Sequence, residues 1–599
     1  MISTPEAVLQ PPAAEELAAR SAGRGGAFAR LAPVLAVLTL AFASPSSASL
    51  QEAAQLVTQA RNELAQGDGI AAEVHLKQAM DKGAAREAVA AYMGEALMAQ
   101  NELDRAHDWL APGIFTRQTT ATGFRALARV EQLQGNLAAA GAAYDRVIAL
   151  TPRDAELWVE IARLRYAGGE HMLALDAANY AFGVDPRNVR VLELRGQIVR
   201  DRDGLVAALP WFKAALKKAP EDVSVLAEYA ATLGELGRAK EMLATTRRIL
   251  ELDPGNPRAF YLQAILAGRA GRFDLARRLM NRVGDEMEGM PAALLLEGVF
   301  ELAAGNYVLA TEALEKLVRQ QPTNHNARRL LVRALFQSGE YRQLVLRFAD
   351  QGARPDASPY LLTVLARSYE ALGDRERAAP LLDRAAAAAP AESPDDLSGA
   401  ENEAETTRTA HPGNFDAQQR AGDVQLALGR GEAALERYRL AARVRLPEDL
   451  MRPMVAAHRL SGRNAEADAL LQAYLAQHPR SQAAGRLAAE RAVAAGDWPR
   501  ARLLLDRLRA NGGDRDVRVL ADLSLAQLRS GDASAAEASA RAAYRLQRAS
   551  PLATQAWGLS LATLGQRPNA AVSLLGKAQL LMGDTPLLAE GRAKLPGEG

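Results

Sequence analysis

The sequence predicts an all-α solenoid of about fifteen short helix–turn–helix units, and three positional series carry that prediction. Small residues recur at a step of 34 in the first helix of each unit, at Ala60, Gly94, Ala128, Ala162, Gly196, Ala230, Ala264, Gly298 and Ala366, with Val332 at the ninth position. A second series marks the second helix: Ala72, Ala106, Ala140, Ala174, Ala208, Met242, Ala276, Ala310, Leu344 and Ala378. The third marks the turn between them: Gly67, Asn101, Gly135, Gly169, Asp203, Gly237, Gly271, Gly305, Gly339 and Gly373. Ten units therefore run in register over 53–390 with no inserted residue.

The stretch Ala121–Pro152 is the clearest unit. Phe124 and Leu127 share one side of its first helix, and Tyr144 and Val147 share one side of its second, with the turn at Gly135-Asn136. Ala128 and Ala140 let the two helix axes approach. Pro152 ends the unit because proline lacks an N–H and clashes with the preceding turn, and Pro186, Pro220, Pro254, Pro322 and Pro390 repeat it. This set of small, aromatic and proline positions resembles the tetratricopeptide-repeat family, with Trp158 at the family's signature tryptophan and Tyr144 and Phe212 at its second-helix aromatic. The resemblance implies a right-handed superhelix. It says little about function, because the matching residues are packing residues.

Around this array the chain falls into further parts. Residues 1–48 carry Arg20, Arg24 and Arg30, the apolar run Leu31–Ala43 and a serine-rich exit, the pattern of a secretory signal peptide cleaved after Ala43 or Ala48. That run holds 13 residues including Pro33, short for a membrane span, so no stable transmembrane segment is expected. The alternative is an uncleaved inner-membrane anchor. Residues 391–412 break the register with an acidic insert (Glu392, Asp395, Asp396, Glu401, Glu403 and Glu405 against Arg408) and an orphan helix. Residues 415–583 hold five further units, with Ala434, Ala467, Ala501, Ala536 and Ala570 in their second helices, and 584–599 form a cap and tail.

Composition narrows the function. The formal net charge of +1 gives no field for nucleic acid or an anionic membrane surface. The absence of cysteine excludes disulfides, thiol catalysis, cysteine-ligated zinc and lipidation at an N-terminal cysteine. Of the seven histidines no two lie three or four residues apart, so no metal site of ordinary helical spacing is present. There is no phosphate-binding glycine loop and no nucleophile elbow. No catalytic residue, metal or cofactor is expected.

What remains is a surface. The resemblance implies that the first helices line a concave groove, and carried over residue by residue this presents three patches. Arg125, Arg129, Arg163, Tyr166, Gln197 and Arg200 make a basic patch in units three to five. Tyr261, Ile265, Leu295, Val299 and Leu302 make an apolar patch in units seven and eight. Arg329, Arg333, Tyr360 and Arg367 make a second basic patch in units nine and ten. Clustered arginine forks suit an acidic protein or peptide partner, unless neighbours such as Glu193 and Glu370 neutralise them. The expectation is a non-catalytic, periplasmic protein–protein scaffold of the bacterial envelope, similar in architecture to scaffold subunits of exopolysaccharide secretion and outer-membrane machineries. The alternatives are a cytoplasmic chaperone-type adaptor and an accessory subunit of an envelope enzyme.

Overall fold

The computed structural model describes residues 47–595 except 285–286, 288, 323, 355–356 and 387–393, so the expected leader lies outside the described residues apart from its last two. Every regular element among them is a helix. Fifteen antiparallel pairs follow one another, from α1 (Ser47–Ala65) with α2 (Gly69–Asp81) to α30 (Pro551–Leu564) with α31 (Pro568–Met582). Because α1 begins at Ser47, cleavage after Ala43 leaves it whole and cleavage after Ala48 removes its first two residues.

Six of the units start by one recurrent device. Two residues after the closing proline stands Asp or Asn, at Asp154, Asn188, Asp222, Asn256, Asn324 and Asn414, and each side chain accepts a hydrogen bond from a backbone N–H of the first turn that follows. Such N-caps satisfy donors that a helix leaves orphaned. Between the paired helices the chain reverses through one residue with positive φ. Glycine supplies it in most units, and Asn101 takes it with φ 59°, as asparagine tolerates. The fifth unit departs from the expected series: Asp203 keeps φ −101°, and Gly204 takes φ 111° instead. The fifteenth departs as well. Arg567 sits at φ 50° ahead of Pro568, which lengthens the turn by one residue, so Ala571 rather than Ala570 is the fully buried alanine.

Packing explains the small residues. In the fifth unit, α9 (Val189–Arg202) places Gly196 under Phe212 of α10 (Leu205–Lys218), and a Cβ on Gly196 would come within 2.6 Å of that ring. Gly298 stands in the same relation to Leu314, at 2.6 Å. Small on the first helix and large on the second is thus a steric match within these units. The alanines of the second series are buried too, Ala174 and Ala276 among them. Ala174→Leu or Ala276→Leu is therefore expected to destabilise its unit by about 1–3 kcal/mol through overpacking. Gly141 is helical and a Cβ there meets nothing within 4 Å, so Gly141→Ala should stabilise by about 0.5–1 kcal/mol. Hydrogen exchange resolved by unit checks both, and equal responses would refute the packing register.

First helices of most successive pairs pack on each other as well as on their own partners, whereas second helices do not come so close. The first helices therefore lie on the inner side of the bend. The helix α21 (Pro394–Ala410) packs along α22 (Phe415–Ala427), where the second helix of a preceding unit would stand. Part of the acidic insert is engaged there, because Glu401 accepts from Gln425 at 2.9 Å and from Arg430 at 2.6 Å. At the other end α32 (Pro586–Ala593) packs on α30 as a lone first helix.

One feature has no counterpart in the periodic pattern. The start of the last five units returns to the edge of units four to six. Gly169, Gly204 and Gly237, the turn glycines of those three units, are approached by Asn414, Gln477 and Arg480 respectively, while the turn glycines of the other units have open space around them. Met172 and Tyr166 join the core of unit eleven around Phe415 and Tyr438. The superhelix thus closes on itself along a seam.

Candidate functional site

The inner face divides by how its charges are met. In units three and four Arg125 donates to Asp154 at 3.0 Å and to Glu160 at 2.9 Å, Arg129 also donates to Glu160, and the Tyr144 hydroxyl donates to Glu160 at 3.2 Å. Burial pushes the Glu160 carboxyl up, but the two guanidiniums outweigh it and hold it below its ordinary value. Burial also pushes Glu95, beside the same arginines, upward. In units five to seven Arg200 pairs with Glu228 at 2.7 Å and with Asp201 at 3.3 Å, and Arg258 pairs with Glu228 from the next unit. These pairings correct the first basic patch: Arg125, Arg129 and Arg200 are neutralised by acids of adjacent units. Arg163 is exposed and forms no ion pair among the described residues.

Tyr166 is also corrected. It lies in the seam, edge-on to His171 with ring centroids 4.8 Å apart and packed against the core of unit eleven. The expected apolar patch is mostly turned into the repeat core. Tyr261 and Ile265 pack against the cluster around Leu233 and Leu262, and Leu295 and Leu302 against the cluster around Leu314 and Leu331. Val299 alone of the five is exposed, at 38%.

The second basic patch is different. Arg329 and Arg333 lie one turn apart on α17 (His325–Gln337), are exposed, and form no ion pair among the described residues. Tyr360, at the start of α19 (Pro359–Ala371), is 40% exposed. Burial pushes its hydroxyl up, while Arg329 and Arg333 pull it back. Between these helices lies a recess of about 430 Å³ lined by His325, Arg328, Arg329, Phe348 and Tyr360, among others, with no carboxylate among its described lining residues. Arg367 is set apart, paired with Glu370 at 2.6 Å.

The sequence names Glu370, which does pair with Arg367, but does not single out the acids that neutralise the first patch, Glu160 and Glu228. They do carry a signal: the partner stands about one unit away, as in Arg125–Glu160, Arg190–Asp222, Arg258–Glu228 and Arg105–Glu73. Residues at that separation stand at similar heights on like elements of neighbouring units, first helices or their N-caps in the first three pairs and second helices for Arg105 and Glu73. Among the described residues no cluster of three or more His, Asp or Glu could hold a metal ion, and no helix is long and apolar enough to cross a membrane.

Models of the tetratricopeptide repeat match residues 159–223 and 301–343, within the same array of helix pairs. The chain is a tetratricopeptide-repeat protein. Over 194 residues it is 27% identical to "Protein CTR9 homolog" of Arabidopsis thaliana, covering 31% of this chain and 18% of that protein. Over 104 residues it is 32% identical to "Cellulose synthase operon protein C" of Pseudomonas fluorescens (strain SBW25), covering 17% of this chain and 8% of that protein. It therefore spans a small part of either relative. A chain of the APC/C hetero-tetramer Cut9–Hcn1 aligns over 92% of this tetratricopeptide-repeat protein and 97% of its own length, at 13% identity and a TM-score of 0.38. The tetratricopeptide repeats support a protein–protein interaction scaffold.

Proposed function

We propose that this chain is a non-catalytic scaffold of the bacterial envelope that holds an extended acidic segment of a partner protein across units eight to ten. The observation that carries this reading is the contrast along the inner face. Arg125, Arg129, Arg200 and Arg258 of units three to seven are met by acids of the same chain and Arg163 stands singly, whereas Arg329 and Arg333 stand together, unpaired among the described residues, beside Tyr360 and a recess without a described carboxylate. Exposed guanidiniums present donor forks for carboxylates, and the exposed Val299 one unit before them adds an apolar contact. Export is supported by the basic-then-apolar leader at 20–43, and an envelope assembly by the similarity to the cellulose synthase operon protein.

Crosslinking and capture from envelope fractions tests it, with variants deciding the site. Arg329→Glu with Arg333→Glu should slow association at least about tenfold at low salt and flatten its salt dependence, as loss of steering charge does. Val299→Ser should leave association unchanged and speed dissociation a few-fold. Kinetics unchanged in both variants, or a captured partner found only in the cytosol, would overturn the reading.

A further inference from the structure

The seam is built from helix N-termini that the local sequence leaves uncapped or partly capped. The N–H groups of a helix's first turn have no partner within the helix. In α10 the preceding Gly204 has no side chain to offer, and the Ala207 N–H donates instead to Oε1 of Gln477, 270 residues away, at 3.0 Å. The Leu446 N–H donates to the carbonyl of Asp201 at 2.8 Å. In α22 the cap Asn414 accepts from Ala417 through its oxygen and donates to the carbonyl of Gly169 at 3.0 Å through its nitrogen. The N–H of Phe415, the first residue of α22, donates to Nδ1 of His171 at 3.0 Å.

That last bond is chemically unlike the others. An amide or carbonyl oxygen accepts at any ordinary pH, but Nδ1 of histidine accepts only when the ring is neutral and its proton sits on Nε2. His171 is 5% exposed, and its surroundings come from three elements. Tyr166 of α7 (Ala155–Ala167) meets the ring edge-on. Asp416 of α22 and Arg445 of the connection after α23 (Gly431–Ala442) face it as charges, paired with each other at 3.2 Å. Arg445 lies over the Phe415 ring at 4.0 Å, and its Nε is buried without a hydrogen-bond partner. Asp201 lies further along the seam, its carboxyl pushed up by burial.

We propose that the seam is a proton-sensitive latch, in which neutral His171 holds the start of the last five units against the edge of units four to six and a proton on Nδ1 releases it. A proton there would set one N–H against another and add a positive charge beside Arg445. Burial foremost, and Arg445 after it, push His171 below its ordinary value, with Asp416 pulling the other way. Closure therefore favours the neutral ring. Its stabilisation is complete above the open-state value near ~6.5 and is lost as pH falls below it.

Because Phe415 is the first residue of its helix, protection of its amide reports the seam and little else. Hydrogen exchange of the full chain, corrected for the intrinsic pH dependence, should show protection of this amide falling about tenfold between pH 7.5 and 5.5. Amides of α29 (Ala533–Leu546), which lies away from the seam, should not change. His171→Asn, which offers an acceptor that does not titrate, should remove the pH dependence. The chain has no cysteine, and a Cβ on Gly413 would lie 3.2 Å from that of Met172, near disulfide spacing. Met172→Cys with Gly413→Cys, oxidised, should keep the amide protected at pH 5.5. Unchanged protection of the Phe415 amide across this range in the native chain, or a His171→Asn variant with the native pH dependence, would overturn the latch.

Discussion

Phe212→Ala is expected to lower the stability of the fifth unit by about 3–5 kcal/mol, the range for deleting a fully buried aromatic side chain. The ring has no exposed surface and packs among Leu192, Val199, Ala208, Ala215 and Val225, with Gly196 directly beneath it. Nothing larger than hydrogen at Gly196 can follow the receding surface, so the hole stays open. The opposite error is available at the same place. Gly196→Ala drives a methyl into the ring and should also destabilise, by about 1–3 kcal/mol, although alanine is the better helix former. Solenoid stability is a sum of units and their interfaces, so hydrogen exchange should show the loss in α9, α10 and their immediate neighbours, with α26 (Gln482–Ala494) unaffected. Uniform loss along the chain would mean that the array unfolds as one body.

This local character also decides what could be read in advance. A position that packs within its own unit faces the same geometric demand every 34 residues. Gly196, Ala230 and Ala264 therefore advertise themselves by repetition, and all of them are buried where the step puts them. Small local insertions break this cheaply: one residue of extra turn at Arg567 moves the packed alanine from 570 to 571. Charges on the inner face are legible only in pairs. Arg125 and Arg329 look alike in the sequence, and what separates them is Glu160, one unit on from the first and without an equivalent among the described residues beside the second. The seam leaves no periodic trace, because His171 and Phe415 meet once across 244 residues. Its only local sign is Gly204, a glycine one place late in its turn and pressed against Gln477.

Glu160→Ala is expected to cost units three and four about 2–3 kcal/mol, from charged hydrogen bonds lost in a partly buried site. The carboxylate is the shared acceptor of Arg125, Arg129 and Tyr144. Removing it leaves Arg125 facing Asp154 alone and strands the phenolic hydroxyl of a buried ring. Arg129 reaches water, which keeps the loss below that of a fully buried ion pair. The second change Arg125→Ala should recover part of the loss, because most of the penalty is the unpaired guanidinium rather than the missing attraction. Acid should imitate the substitution. The Glu160 carboxyl is held below its ordinary value, so its contribution is complete above about pH 4.3 and drains away as pH falls toward the depressed value. Hydrogen exchange across α5 (Thr120–Leu133) to α8 (His171–Val184) measures both effects. A loss below about 0.5 kcal/mol, typical of an exposed surface pair, would mean that Arg125 and Arg129 are free to bind a partner after all and would return the first basic patch to the groove.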